Sequence, residues 1–94
     1  MPYVLFHSKV EDYAAWRSVF DGNVKMRKEA GSKGGYLFQS ADNPNEIVIF
    51  LEWDDLDKAR AFVASDELRE AMQKAGVAGP PTITFLNEAG RPEG

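Results

Sequence analysis

The 94-residue sequence predicts an α+β fold with a four-stranded antiparallel sheet, and two observations support it. The first is the order of the patterns, which runs strand, helix, two strands, helix and strand. The second is the apolar strand Glu46–Trp53, which passes across the acidic pair Asp54–Asp55 into an amphipathic helix. The length allows one domain with a thin core, because a chain of this size buries about 60 to 65% of its unfolded surface.

The first two predicted elements are a strand and a long helix. Tyr3–Val10 is rich in aromatic and β-branched residues, which favours a strand. A helix is predicted from about Asp12 to Ala30, because large side chains recur every three or four positions on one face. That face consists of Tyr13, Trp16, Phe20, Val24 and Arg27. Gly31 ends the helix.

A predicted hairpin follows. Its first strand is Tyr36–Ala41 and its second is Ile47–Trp53, joined by the turn residues Asp42–Asn45. Asp54 is the predicted cap of the next helix, and Asp57 lies three residues on, where a capping box has its acidic residue.

The second helical region is predicted to consist of two pieces. The first directs four apolar residues toward the core: Leu56, Ala59, Phe62 and Val63. Ser65 is a suitable cap for a second piece over Leu68–Lys74. The last strand is predicted over Thr82–Asn87, directly after Pro80-Pro81, since proline is tolerated at a strand start or on a sheet edge. Residues 89–94 are expected to form a frayed polar tail.

This order is the split β-α-β pattern of ferredoxin-like folds, over a single domain of residues 1–88. In Tyr3–Phe6 and Ile47–Trp53, apolar residues occupy both faces of the strand. Two helices cannot cover both faces of a sheet, and a large uncovered apolar face is unusual on a soluble monomer. We therefore expect the second face to be buried in a homodimer.

The composition excludes several classes of protein. The net charge of −4 argues against a nucleic-acid partner. The basic cluster at the end of the first helix is explained by the helix dipole: Lys25, Arg27, Lys28 and Lys33. No apolar run reaches the roughly 20 residues of a membrane helix, and the first residues do not resemble a signal peptide. A cytoplasmic protein without membrane association is expected.

No cofactor or metal site is predicted. The sequence contains no cysteine and one histidine, so a metal would need carboxylates, and the acidic residues after Trp53 are better explained by helix capping. The glycine-rich segment Gly31–Gly35 follows a helix instead of opening one, which indicates a turn and not a phosphate loop. Nucleotide-binding and hydrolase motifs are absent from the sequence.

The element order, the strand end Glu52-Trp53-Asp54 and the continuation Phe62-x-x-Ser65-x-x-Leu68 resemble the dimeric α/β-barrel superfamily. Within it, the sequence is similar to proteins of the antibiotic-biosynthesis monooxygenase kind, from about residue 3 to residue 88. The resemblance implies a dimer whose two sheets close a barrel, with a pocket in each subunit between sheet and helices. Members of the superfamily include cofactor-independent oxygenases of aromatic polyketides, polyketide cyclases and heme-degrading enzymes.

The heme-degrading branch is disfavoured by the residues at its characteristic positions. That branch has an asparagine in the first strand, a tryptophan in the second helical region and an iron-binding histidine further along. Here those places hold His7, Phe62 and Met72. The ligand histidine is missing, and His7 lies on the wrong element to replace it.

Two residues are candidates for catalysis. His7 is suited to take a proton from a phenol or an enolisable carbonyl near neutral pH, and the resemblance places it beside the pocket. Its alternative role is that of a satisfied core or interface imidazole. Glu52 ends an apolar strand, where partial burial favours general-base work. The alternative for Glu52 is an ion pair with a basic residue of the dimer partner.

A pocket for a small apolar or aromatic ligand is expected to use Trp16, Tyr36, Trp53, Phe62 and Met72. Aromatic side chains stack on planar substrates and exclude water, although they also fill small cores. The first hypothesis is therefore a cofactor-independent monooxygenase- or cyclase-like enzyme for an aromatic or polyketide-like molecule. The alternative is a non-catalytic small-molecule-binding or structural dimer. The number of polar groups that converge on the pocket distinguishes them.

Overall fold

The computed structural model describes residues 2–94, which form four helices and four strands in a ferredoxin-like fold. The strands are β1 (Pro2–Val10), β2 (Ser32–Gln39), β3 (Glu46–Trp53) and β4 (Val77–Asn87). The helices are α1 (Tyr13–Gly22), α2 (Val24–Ala30), α3 (Leu56–Val63) and α4 (Asp66–Ala75). The strands form one antiparallel sheet in the order β2-β3-β1-β4. The predicted fold class and the split second helix are confirmed.

The long first helix predicted from Asp12 to Ala30 is instead two helices, α1 and α2. Asn23 breaks it, with φ −100° and ψ 17°, and its N–H donates to the Phe20 carbonyl. Gly22 and Asn23 are both poor helix formers. The apolar side chains keep their helical spacing across this site, but the backbone leaves the helical conformation. The break leaves α2 as a short helix without a buried residue.

Two strands begin earlier than the sequence predicts. β2 starts at Ser32 because Gly31 ends α2 in the left-handed conformation, with φ 113°. It ends at Gln39, since the Ser40 hydroxyl accepts bonds from the N–H groups of Asp42 and Asn43 and forms a turn. β4 starts at Val77 rather than Thr82. Its prolines therefore lie inside an edge strand, at a register shift opposite β1, where their missing N–H groups interrupt no regular pairing.

The cap of α4 agrees with the sequence-based prediction, and the cap of α3 differs from it. Asp55, not Asp54, caps α3, and its carboxylate accepts from the N–H of Asp57 at 2.7 Å and of Lys58 at 3.2 Å. Asp54 instead forms an ion pair with Lys33 at 3.0 Å. Ser65 caps α4 as predicted, through the N–H of Leu68 at 3.2 Å.

The sheet divides strictly into two faces. In β3 the side chains of Ile47, Ile49, Leu51 and Trp53 are buried, and those between them are half-buried. The buried face, which we call the inner face, packs with Val4 and Phe6 of β1 against the helices and forms the core. The helices therefore cover one face of the sheet.

The opposite, outer face is apolar and open. Tyr36 and Phe38 are 65% and 52% exposed, and their rings lie 6.2 Å apart. The ring of Phe50 meets that of Phe38 edge-on, also at 6.2 Å. Register places Leu5 beside Phe50 and His7 beside Val48 on this face. Apolar residues thus occupy both faces, as the sequence indicates.

Gly35→Ala is expected to destabilise the protein by about 3 kcal/mol, because a side chain there overpacks the sheet. A Cβ at Gly35 would lie 1.8 Å from the Phe50 carbonyl oxygen, so β2 and β3 would have to separate. Urea unfolding of the variant measures the loss.

Gly22→Ala is the matched control, since within residues 2–94 its added Cβ has no heavy atom closer than 4 Å apart from its chain neighbours and the backbone of its own helix. A gain of about 0.5 kcal/mol is expected there. Equal effects of the two substitutions would contradict the close approach at Gly35.

Candidate functional site

An apolar cavity of about 70 Å³ lies between the inner face and the helices. Its wall is mostly aromatic and aliphatic, and its polar members are Ser8, Asn23 and Arg27. The apolar members include Phe6, Trp16, Val19, Phe20, Met26, Ile47, Ile49, Leu51, Phe62, Leu68, Met72 and Val77. Such a cavity favours an apolar molecule with one or two polar atoms.

One wall of the cavity is a stack of aromatic rings along α1. The ring of Trp16 lies 4.9 Å from that of Phe20 at an angle of 21°, and Tyr13 lies 5.8 Å from Trp16 on the other side. The stack arises because these residues follow each other at helical spacing. Trp16 and Phe20 line the cavity and give it an apolar aromatic wall.

Arg27 of α2 extends this stack. Its guanidinium carbon lies 3.8 Å from the centre of the Phe20 ring, and its Nη1 donates to the Phe20 carbonyl oxygen at 2.6 Å. Partial burial lowers the pKa of the guanidinium, and the charge of Asp21 opposes that shift. Arginine keeps its proton under such shifts, so a partly desolvated cation stands at the cavity wall.

Phe20 and Arg27 also line a second, open groove of about 530 Å³ beside β2. The groove also shares Ile49 and Leu51 with the cavity, and its other lining residues include Lys28 and Tyr36. The Phe20 and Arg27 side chains therefore form a common wall between the cavity and the groove.

The structure brings three of the five residues predicted to bind a ligand together. Trp16, Phe62 and Met72 line the cavity. Trp53 is fully buried behind it, with its ring 5.1 Å from that of Phe62. Tyr36 lies on the outer face and beside the groove, away from the cavity.

The two candidate catalytic residues lie elsewhere. His7 does not line the cavity, contrary to the placement that the resemblance implies, because it follows Phe6 in a strand and points to the opposite face. Its Nε2 lies 2.8 Å from Glu46 Oε2 on the outer face. Glu52 is paired in register with Tyr3 on the same face. A catalytic role for either residue stays a prediction.

The sequence-based site omitted Arg27, Asn23 and Ser8, the polar part of the cavity. Arg27 had a visible signal, since it is a cation at the end of an otherwise apolar helix face. Asn23 reaches the cavity because it interrupts that helix.

A ferredoxin-like fold with an apolar cavity between sheet and helices defines a class of small α+β proteins. Within this class, the family model described as antibiotic biosynthesis monooxygenase matches residues 4–74. The chain belongs to this family, in agreement with the resemblance in its sequence. No helix of residues 2–94 is long and apolar enough to span a membrane.

Solved structures share the fold at low sequence identity. A protein from Bordetella bronchiseptica is 17% identical with a TM-score of 0.80, over 94% of this chain and 96% of its own. A cofactor-independent oxygenase from Streptomyces nogalater is 17% identical with a TM-score of 0.75, over 96% and 93%. A conserved protein from Methanosarcina mazei is 15% identical with a TM-score of 0.72, over 93% and 91%. Among curated proteins, none matches the chain.

Proposed function

We propose that the protein is a homodimeric, cofactor-independent oxygenase that acts on a small aromatic or polyketide-like molecule held in the cavity. The observation that carries this proposal is the apolar cavity with a stacked aromatic wall, in a member of the antibiotic biosynthesis monooxygenase family. The fold it shares with a cofactor-independent oxygenase is consistent with the proposal. We extend it to a cytoplasmic location, as expected from the sequence.

Oxygenation without a cofactor requires that the substrate itself reduce dioxygen. An activated ring CH₂ reacts with O₂ to give a ring C=O and one water, so one oxygen atom enters the product and the other leaves as water. The protein then has to hold the ring, keep bulk water away and stabilise the electron-rich form of the substrate. The apolar lining of the cavity is suited to the first two tasks.

Ligand entry requires the cavity to widen. A cavity that binds benzene has a volume of about 150 Å³, more than the 70 Å³ present here. Met26 and Met72 line the cavity with flexible side chains, and α2 has no buried residue to fix it in place. Movement of α2 is the route by which we expect the volume to increase.

Non-catalytic ligand binding is the second candidate function, and the polar groups of the cavity favour it. Ser8, Asn23 and Arg27 are the polar residues among its lining, and none of them exchanges a proton near neutral pH. A substrate with a high pKa would therefore find no base there. A molecule that binds as an anion would not need one.

The open outer face supports the dimer. Rings such as Tyr36 and Phe38, more than half exposed, form an apolar surface of a kind that oligomers bury. A second copy placed on this face would also surround the His7–Glu46 pair.

Oxygen uptake with 1-naphthol, which would give a naphthoquinone and water, tests the proposed function. Ala71 lines the cavity, and Ala71→Phe is expected to lower the rate more than about tenfold because the added ring fills the ligand space. Ala61→Phe, at an exposed position of the neighbouring helix α3, is the matched control and is expected to retain the wild-type rate.

Two other results of these experiments would change the proposed function in different ways. Binding of 1-naphthol without oxygen uptake would favour the non-catalytic function. Loss of uptake in a folded His7→Ala variant would place the chemistry at the outer face instead of the cavity.

A further inference from the structure

Two arginines of residues 2–94, Arg27 and Arg60, form no ion pair with a carboxylate, and only Arg27 is half-buried and lines the cavity, since Arg60 is exposed and lies over the Phe85 ring. Arg17, Arg69 and Arg91 each form an ion pair within their own segment, with the nearest carboxylate oxygens at 2.9 to 3.4 Å. Within residues 2–94, no carboxylate lies within 4.0 Å of the Arg27 guanidinium. Its direct contacts are a backbone carbonyl and the face of a ring, and the charge of Asp21 acts on it from beyond ion-pair distance.

The surroundings make this charge available to a ligand. Arg27 is the one charged residue among the described residues that line the cavity. Its bond to the Phe20 carbonyl uses one of five N–H donors, and stacking on the Phe20 ring holds the guanidinium plane in place. A half-buried cation beside an apolar cavity favours an anion, because low polarity strengthens the attraction.

We propose that Arg27 binds an ionised oxygen of the ligand, so that the substrate class is an acidic phenol or enol that binds as its anion. This inference rests on the proposed function, and it gives the cavity a means of ionising the substrate without a basic side chain. The positive charge lowers the pKa of the bound hydroxyl, and the proton is released to bulk water as the ligand binds. The resulting phenolate is the electron-rich form that reacts with dioxygen, so no side chain has to act as the base.

A purely structural role for Arg27 makes a different prediction. Its Nη1 is a second donor to the Phe20 carbonyl, which also accepts from the Asn23 N–H, and this bond by itself stabilises the end of α1. Loss of that bond would lower stability and would weaken all ligands equally. It would not alter the protonation of a bound phenol, so protonation is the property to measure.

The probe is 4-nitrophenol, whose ionisation is visible by absorbance, with the neutral 4-nitroanisole as its uncharged counterpart. In the wild-type protein the pKa of bound 4-nitrophenol is expected to fall by about one unit, which corresponds to tenfold tighter binding of phenolate than of phenol. Arg27→Gln is expected to abolish the shift and to leave the affinity for 4-nitroanisole unchanged. Lys28→Gln, a neighbouring cation in the groove, is the matched control and should keep the shift.

Failure of this inference can be distinguished from failure of the proposed function. If 4-nitroanisole binds but wild-type protein leaves the pKa of 4-nitrophenol unshifted, the anion site is overturned while the apolar cavity stands. If neither probe binds, the proposed function fails together with this inference. Should Arg27→Gln not fold, Arg27→Met preserves the packing on Phe20 without the charge, and a shift retained in that variant overturns the inference.

Discussion

Trp53→Ala is expected to lower the free energy of unfolding by about 3 to 5 kcal/mol, the range for removing a buried tryptophan. Trp53 has 0% of its surface exposed and packs on Phe62, where β3 meets α3. Its loss would leave a void that the short helix α3 cannot fill without moving. Urea unfolding followed by circular dichroism at a fixed protomer concentration measures the change.

Trp53→Phe separates the contribution of the buried aromatic ring to stability from that of the indole N–H. Among residues 2–94, the indole Nε1–H of Trp53 has no hydrogen-bond partner. Phenylalanine keeps most of the buried ring and removes this unsatisfied donor, whose burial costs about 1 to 3 kcal/mol. The expected net loss is below about 1.5 kcal/mol. A loss as large as that of Trp53→Ala would show that the Nε1–H is stabilised after all.

Tyr36→Asp is expected to raise the dissociation constant of the proposed dimer by about 1000-fold, because Tyr36 lies on the outer face that we propose as its interface. Tyr36 is 65% exposed, so the substitution removes few contacts within the chain. In a symmetric dimer the change occurs twice, and losing about 2 kcal/mol at each copy corresponds to that factor. Sedimentation velocity across a dilution series measures it.

Val24→Asp is the matched control, because Val24 is also an exposed apolar residue, at 45%, but belongs to α2 and not to the sheet. It should leave the dimer unchanged. A dimer that survives Tyr36→Asp and dissociates with Val24→Asp would move the interface from the outer face to the helices.

The order of elements is predictable because local patterns determine it. The apolar, β-branched run of Glu46–Trp53 and the caps around α4 are local features, and the structure has a strand and a helix there. The strand starts were less predictable, since Ser32–Gly35 and Val77–Pro81 have weak strand propensity and join the sheet through pairing with β3 and β1. Pairing with neighbouring strands therefore sets where β2 and β4 begin, which local strand propensity does not determine.

The site was predictable in part. Residues on the apolar faces of helices, such as Trp16 and Phe62, had to point toward the sheet, and they line the cavity. The side of the sheet that the helices cover cannot be derived from β1 alone, because Leu5 and Phe6 are equally apolar. The family resemblance places His7 beside the pocket, the pattern of β1 does not contradict that placement, and the structure has His7 on the outer face.

The alternation of β3 side chains between the inner and outer faces affects how substitutions in this strand change the protein. Odd-numbered positions from Ile47 to Trp53 are buried against the helices, while even-numbered positions from Glu46 to Glu52 belong to the outer face. A substitution at Ile49 reshapes the space for a small molecule, and one at Phe50, its neighbour in the chain, alters the surface offered to a second copy. For the proposed ligand site and the proposed dimer, alternate residues of β3 therefore affect ligand fit and self-association separately, so a substitution in this strand can change one property and leave the other unchanged.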